Sequence, residues 1–437
     1  MQPDERRGWY VVTLCMIAYI FSFVDRQILA LLIGPIQADL GISDTQFGLL
    51  HGLAFSLFYA TMGIPVATMA DRSSRPLIIA VGIAVWSAAT MACGLARSFL
   101  SLFIARICVG AGEAALSPAT YSLISNLFPK EKLGRAVAVY SLGSFLGSGI
   151  AFLAGGAVIA MVSGTDSIAF IGMDFRPWQL AFLIVGAPGL LLSAIVFLTI
   201  KDPVPAAARV NGTDHPRLKA VLAFLWRERA IFLPHMLGFT FAAMALFALL
   251  GWSPAYLIRA HGLDAATAGF WLGIVVVVAG GGGVMTSGWI MDRMAGRGVH
   301  DAPFRTGIIG ALGTMLPASA LPFAPSFEAG LTLLGAALFF ASFPMPPSTA
   351  VIQIIAPPAM RSRVAAIFLC SNSLIGLTLG SLLVGLFNDH LFSGSAAVAS
   401  SLGIVTAGAS IAAAGLLALG CRPYIAGLSA RTRYAAV

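Results

Sequence analysis

The stretch Ser22-Phe23-Val24-Asp25-Arg26-Gln27 places two adjacent charges in the middle of a long apolar run, which extends from about Trp9 to Leu40. A run of this length can cross a bilayer as a helix. An ionised side chain near the bilayer centre costs at least ~3 kcal/mol on insertion scales, so charges kept there indicate a functional site. Glu113, the other acid far inside an apolar segment, is the candidate partner of this pair.

The composition excludes a soluble globular protein. Of the 437 residues, 58% are hydrophobic and only 10% are charged, whereas soluble domains carry about 25% charged residues. The 47 glycines and 23 prolines fit membrane helices, in which both residues are commoner than in soluble helices. The composition therefore predicts an all-α polytopic membrane protein.

Twelve apolar runs are long enough to span a bilayer, and basic residues concentrate in the connections on one side of them. The runs cover about 9–40, 45–70, 77–96, 99–127, 135–161, 179–200, 231–258, 266–291, 304–323, 329–356, 363–389 and 399–421. Because basic loops stay in the cytoplasm, both termini are predicted to be cytoplasmic. The same bias explains the net charge of +8, so no nucleic-acid partner is expected.

The longest connection, from Lys201 to Arg229, separates six runs from six. We therefore predict a six-helix bundle over 1–200, a cytoplasmic linker over 201–230, a second bundle over 231–422 and a cytoplasmic tail over 423–437. Within the linker, residues 217–227 have the pattern of an amphipathic helix on the inner membrane surface. The pattern is compatible with a regulatory role, but a passive linker is the favoured interpretation.

The two halves repeat each other. Pro118, Pro129 and Arg135 recur 228 residues later as Pro346, Pro357 and Arg363. A parallel repeat of two bundles predicts pseudo-symmetry and a substrate cavity at their interface, near the midplane.

Two loop segments, 67–75 (ATMADRSSR) and 288–297 (GWIMDRMAGR), resemble the Gly-x-x-x-Asp-Arg-x-x-x-Arg signature of the major facilitator superfamily. The first has Ala67 where the signature usually has glycine. The resemblance implies the fold of that superfamily, with twelve transmembrane helices, and a conformational latch on the cytoplasmic side. The alternative is that these loop charges only enforce topology. The residues to which the latch role is assigned are Asp71, Arg72, Arg75, Asp292, Arg293 and Arg297.

The intramembrane charges are predicted to meet at one depth. At 1.5 Å per residue, Arg26 lies ~27 Å from Gly8, and Glu113 lies ~24 Å from Pro129 at the same membrane side. Asp25 diverges from Arg26 by roughly 100° and should face a flanking helix. Arg106 lies two helical turns from Glu113 on nearly the same face.

These four residues form the predicted substrate and proton-coupling site. Arg26 is a fixed positive charge that can bind an anionic head group or a carboxylate. Glu113 is a candidate proton carrier whose protonation would release Arg26 to bind substrate. The alternative is a static ion pair that fixes the first and fourth helices together.

The sequence segments around these charges resemble those of the spinster family, which belongs to the same superfamily. Residues 24–26 (VDR) and 106–114 (RICVGAGEA) carry the likeness, and residues 252–257 and 379–389 add to it. Ser381 and Asn126 depart from the residues common in that family. The resemblance to a bacterial homologue implies a lipid-type substrate, such as a lysophospholipid or sphingolipid, and proton coupling in some members.

The chain offers few features of other function classes. Its five cysteines are scattered singly and its histidines do not cluster, so neither a disulfide framework, a metal site nor a cofactor is predicted. A membrane enzyme would need a nucleophile elbow or a metal motif, and neither is present. The glycine run at 280–283 predicts either a flexing gate or a packing notch.

The sequence thus predicts a secondary active transporter that works by alternating access in a bacterial inner membrane. Its predicted cargo is an amphipathic lipid, and proton coupling through Glu113 and Arg26 is a hypothesis. The transporter is expected to be monomeric among membrane lipids. The alternative is a proton-coupled carrier of small organic anions or drug-like amphipaths.

Overall fold

The structure, a computed structural model, describes residues 3–162, 168–170, 173–203, 218–394 and 396–435. The regular elements within these ranges are helices and one two-stranded antiparallel hairpin, β1 (Ile168–Phe170) and β2 (Met173–Phe175). Eleven helices among the described residues are long and apolar enough to cross a membrane. The predicted all-α polytopic fold class is confirmed, and the short hairpin is an addition that the sequence did not indicate.

Contacts divide the chain into two compact units. The first comprises residues 1–212 and 262–277, and the second comprises 213–261 and 278–437. The helices of the first unit are α1 (Pro3–Leu31), α2 (Ile33–Leu40), α3 (Asp44–His51), α4 (Leu53–Arg72), α5 (Arg75–Cys93), α6 (Phe99–Glu113), α7 (Leu116–Leu127), α8 (Lys130–Val162) and α9 (Pro177–Thr199).

The second unit begins with α10 (Leu218–Arg227) and α11 (Arg229–His261). The chain then passes through α12 (Ala265–Val275), which packs in the first unit, and a π-helical turn at Val276–Gly280. The remaining helices are α13 (Gly281–Gly296), α14 (Ala302–Ala320), a 3-10 turn (Leu321–Phe323), α15 (Phe327–Ala341), α16 (Met345–Ile355), α17 (Arg361–Ser371), a π-helical turn (Asn372–Leu377), α18 (Thr378–His390) and α19 (Ala397–Ala435). The predicted domain boundaries stay a prediction.

Helices of the first unit cross closely where glycine faces a neighbouring backbone. A Cβ on Gly112 would lie 2.6 Å from the backbone nitrogen of Trp86, and one on Gly143 would lie 2.9 Å from the carbonyl oxygen of Met16. Small residues allow helices to approach in this way without the hydrophobic driving force that water supplies. These crossings hold α6 against α5 and α8 against α1, the helix that carries Arg26.

Local sequence signals account for several helix starts. Ser43 and Gln46 form a capping box at the start of α3, and Ser98 and Ser101 form one at the start of α6. Such boxes satisfy backbone N–H groups that have no partner inside the helix. The start of α6 is thereby fixed four helical turns before Glu113, at the other end of the helix.

The core of the second unit includes the predicted amphipathic helix. It forms α10, with Val221 and Phe224 buried against Phe232 and neighbouring apolar side chains. Leu222 and Trp226 remain exposed on another side of α10. Residues 204–217 of the predicted linker lie outside the described residues.

Candidate substrate site

Arg26 and Glu113 form an ion pair inside the first unit. Arg26 Nε donates to Glu113 Oε2 at 2.7 Å, and Nη2 of the same guanidinium lies 2.5 Å from that oxygen. The Glu113 side chain is only 1% exposed, whereas the Arg26 side chain is 17% exposed. The structure therefore brings together the two residues that depth along the helices predicts to meet, and it leaves the arginine as the accessible partner.

Three aromatic rings surround the Arg26 guanidinium, and we call Phe23, Phe55 and Tyr59 the aromatic box. The distances from Arg26 Cζ to their ring centroids are 4.9, 4.4 and 4.9 Å. Contacts of this kind attract a cation electrostatically, more strongly where water is excluded. The box therefore fixes the position of the guanidinium and gives the accessible charge an apolar surround.

Arg106 contacts the other charged residue of α1 through its backbone. Nη1 of Arg106 donates to the carbonyl oxygen of Asp25 at 3.0 Å, and both residues are buried. The predicted divergence of Asp25 from Arg26 fits this geometry, because the two side chains of α1 have different neighbours. Arg106 thereby holds the main chain of α1 beside the ion pair.

Several polar atoms of this cluster are buried without a hydrogen-bond partner in the part of the chain that the structure describes. They are Asp25 Oδ1, Arg106 Nε and Glu113 Oε1. Buried polar atoms of folded proteins are nearly always satisfied, so each of these needs a water molecule, a proton or a ligand atom. The cluster has the chemistry to exchange a proton and to bind an anion.

A layer of tyrosines lies next to the aromatic box. Tyr19 stacks on Tyr140 with ring centroids 4.9 Å apart and also contacts Phe23 at 5.3 Å. Tyr121 packs edge-on against Tyr140, whose hydroxyl lies 2.9 Å from Ser117 Oγ. Sequence reasoning missed this layer and the box. The i, i+4 spacing of Tyr19 and Phe23, and of Phe55 and Tyr59, is the signal that could have found them.

The residues of the predicted latch have different environments. Arg75, at the start of α5, contacts Asp202 through two groups. The backbone N–H of Arg75 donates to Asp202 Oδ2 at 2.9 Å, and Arg75 Nη1 lies 3.4 Å from Asp202 Oδ1. Arg293 lies over the ring of Trp289 at 5.3 Å. Asp292 and Arg297 are exposed. The side chains of Asp71 and Arg72 lie outside the described residues, and the latch stays a prediction.

A metal centre finds no support in the described part of the chain. No group of three or more His, Cys, Asp or Glu side chains there could hold a metal ion. The site is built from one accessible arginine, buried carboxylates and aromatic rings.

Residues 15–381 match the model of the Major Facilitator Superfamily. The chain belongs to this superfamily. It is similar over 88% of its length to an MFS-type efflux pump of Mycolicibacterium smegmatis, with 30% identity and 86% of that protein covered. The fold expected from the loop signatures is thereby confirmed, and the protein is a multi-pass membrane transporter rather than an enzyme.

Two further relatives and one solved structure are also similar to the chain. The hexuronate transporter of Bacillus subtilis is 27% identical over 66% of both chains. Protein spinster of Drosophila melanogaster is 27% identical over 58% of this chain and 39% of its own length. A crystal structure of a bacterial homologue of the human lysosomal transporter spinster, inward-facing and unoccupied, has a TM-score of 0.78 with 24% identity, covering 98% of each chain. The predicted resemblance to spinster proteins is confirmed.

Proposed function

We propose that this transporter moves an anionic amphipath of the lysophospholipid or sphingolipid type by alternating access. The observation that carries the proposal is the Arg26–Glu113 ion pair, in which the arginine is accessible and the carboxylate is not. An arginine can bind a phosphate or carboxylate through two parallel N–H groups. The aromatic box and the tyrosine layer supply an apolar surface for the chain of such a molecule.

Proton coupling follows from the same pair. When Glu113 takes up a proton, Arg26 loses its counter-charge and becomes free to bind the anionic head group. When the substrate leaves, the deprotonated Glu113 pairs with Arg26 again. Because an unpaired buried charge is costly, the arginine is always held either by the carboxylate or by the substrate. A step of this type links transport to the proton gradient.

The latch proposed from the loop signatures would act on the cytoplasmic side, in a bacterial inner membrane with both termini in the cytoplasm. The proposed latch residues are Asp71, Arg72, Arg75, Asp292, Arg293 and Arg297. Support for this part comes from the duplicated signature and from superfamily membership.

A second candidate is a carrier of small organic anions. It is favoured by the similarity to the hexuronate transporter, because a hexuronate carries a carboxylate and no apolar chain. The same arginine would bind that carboxylate. The aromatic surround of Arg26 favours the amphipath.

The test is binding of lysophosphatidylglycerol to the purified protein, for the wild type, Arg26→Ala and the control Arg97→Ala. The control removes an exposed arginine of the same unit. We expect saturable binding that Arg26→Ala abolishes and Arg97→Ala keeps. Displacement of the lipid by millimolar hexuronate, or stabilisation by hexuronate with no lipid binding, would instead support the carrier of small anions.

A further inference from the structure

The helix α10 lies at the level where membrane spans of the second unit begin and end. Val221 and Phe224 of α10 belong to one core cluster with Phe232, which is three residues into the span that begins at Arg229, and with Ile355, the last residue of another span. The ring centroids of Phe224 and Phe232 are 5.5 Å apart. Because these spans end at a membrane surface, the contacts with the bundle hold α10 at that surface.

The packed face does not account for all the apolar residues of α10. Leu218, Leu222 and Trp226 recur every four residues, and their exposed fractions are 46%, 50% and 73%. Residues at i, i+4 and i+8 share one side of a helix, so these three form a second apolar face, which we call the outer face of α10. The residues that contact the bundle are already used there, and any contact with another surface falls to the outer face.

Basic side chains accompany the outer face. Lys219, Arg227 and Arg229 are exposed, whereas the segment from 218 to 229 contains one acid. The Arg229 guanidinium lies over the Trp226 ring, with Cζ 5.3 Å from the ring centroid, and Arg229 Nη1 donates to the carbonyl oxygen of Trp226 at 3.2 Å. The most exposed apolar ring of α10 therefore has a positive charge beside it.

Exposed tryptophan and leucine side chains combined with lysine and arginine are typical of a helix that lies in the interface of an anionic membrane. The apolar side chains of such a helix enter among the glycerol and upper acyl groups, and its charges attract lipid phosphates. Exposed apolar side chains that recur along one face mark an interaction surface more often than a water-facing one. Because α10 is held at the ends of membrane spans, the lipid head groups of that leaflet are the surface of matching chemistry within its reach.

We propose that the outer face of α10 binds diacyl anionic phospholipids of the leaflet at this end of the second unit. Leu222 and Trp226 enter the interface, and the three basic side chains bind lipid phosphates. These lipids are not cargo, and none of the residues that bind them belongs to the Arg26 site. The helix α10 is then an anchor of the second unit on an anionic surface, and not a passive linker.

The test is quenching of Trp226 fluorescence by brominated phospholipids in nanodiscs that hold the full-length protein. Bromine on the acyl chains quenches a tryptophan that touches the lipid, and the difference between each protein and its Trp226→Phe version isolates this ring among the seven tryptophans of the chain. The membrane contains equal amounts of phosphatidylglycerol and phosphatidylcholine, and one or the other is brominated. The quantity measured is the ratio of the quenching by the two lipids, which we call the lipid preference.

In the wild type the lipid preference should lie above one, because each lysine or arginine near an anionic surface strengthens binding about fivefold. Lys219→Gln and Arg229→Gln should each lower the preference by up to about fivefold, and added salt should lower it too. Arg229→Lys keeps the charge and should keep the preference. Arg422→Gln is the matched control, since Arg422 is an exposed arginine of the same unit that does not belong to α10, and its preference should equal that of the wild type.

A wild-type lipid preference near one would overturn the proposal, because the outer face would then accept a neutral interface equally well. Absence of quenching by either lipid would overturn it too, and quenching by aqueous iodide would then show that the outer face meets water. Arg26→Ala separates this surface from the cargo site: the preference at Trp226 should survive in that variant, and its loss would contradict a separate lipid surface.

Discussion

Arg106 reaches the carbonyl oxygen of Asp25 at 3.0 Å, so an arginine of α6 holds the backbone of α1 one residue before Arg26. Both residues are buried, and Asp25 Oδ1 has no hydrogen-bond partner in the described structure. Arg26 is thus positioned by a second arginine that does not compete with it for Glu113 as a hydrogen-bond partner. Arg106 positions the backbone next to Arg26, whereas Glu113 balances the charge of Arg26.

Arg106→Met should therefore destabilise the protein and also displace Arg26. The variant loses a buried hydrogen bond from a charged donor, and bonds of this type contribute ~1.5–3 kcal/mol. Thermal unfolding and lysophosphatidylglycerol binding should both be impaired. Normal binding in a destabilised Arg106→Met protein would show that Arg106 does not position Arg26.

Glu113→Gln should remove the pH dependence of binding. Lysophosphatidylglycerol keeps a single negative charge between pH 5 and 8, so any change in its affinity over this range reports the protein. If the proposed coupling holds, acidification should protonate Glu113 in the wild type, release Arg26 and tighten binding. Glutamine cannot take up the proton, and the affinity should be flat across pH.

The control for this substitution is Glu328→Gln, an exposed acid on α15 of the second unit. It should keep the wild-type pH profile. A Glu113→Gln protein whose affinity still rises tenfold on acidification would exclude Glu113 as the coupling group.

Gly110→Ala should disturb the aromatic box by pushing on the backbone of Phe55. A Cβ at this position would collide with the backbone of Phe55, lying 3.1 Å from its carbonyl carbon and closer still to its oxygen. Overpacking of this kind costs ~1–3 kcal/mol and should move Phe55 away from Arg26. Gly134→Ala is the matched control, because a Cβ there meets nothing within 4 Å. Weaker head-group binding is expected only in Gly110→Ala.

Asp202 should stabilise the start of α5 in two ways. It accepts the backbone N–H of Arg75, which is a helix-start contact, and it pairs with the Arg75 guanidinium. Asp202→Ala should then cost more stability than Arg75→Gln, by about 1 kcal/mol, since the backbone contact survives in the second variant. Equal losses measured by denaturation in detergent would show that only the ion pair contributes.

Asp264 should make a small part of the stability depend on pH. It caps α12 by accepting backbone N–H groups of Ala266 and Thr267 at 2.9 Å, and the Thr267 hydroxyl at 2.6 Å. The Thr267 side-chain bond, followed by these backbone bonds, lowers the pKa of Asp264 below its ordinary value. A lowered pKa means that the stabilisation is present above about pH 4 and is lost as the pH falls through the folded-state pKa.

Asp264→Ala should cost ~1 kcal/mol at pH 7, the usual value of such a cap. The difference from wild type should shrink in thermal unfolding measured below pH 4. A difference that is constant down to pH 3 would contradict the assigned cap.

The sequence by itself determined the membrane-helical fold and the pairing of Arg26 with Glu113. Apolar length, loop charge and helical rise are local quantities, and two charges buried at one depth have few partners available. The sequence also indicated the amphipathic helix, because its period of hydrophobicity is readable without a structure. These features follow from how each segment partitions between water and hydrocarbon.

Only the tertiary structure decided which atoms of these residues meet and what surrounds them. Phe55 reaches Arg26 because Gly110 lets α4 approach α6, and Arg75 pairs with Asp202 because the end of α9 returns to the start of α5. Thr240 of α11 likewise donates to Asn372, in the π-helical turn after α17 and 132 residues away. Such contacts join segments distant in sequence, and helix crossings set by packing, rather than any local pattern, bring them together.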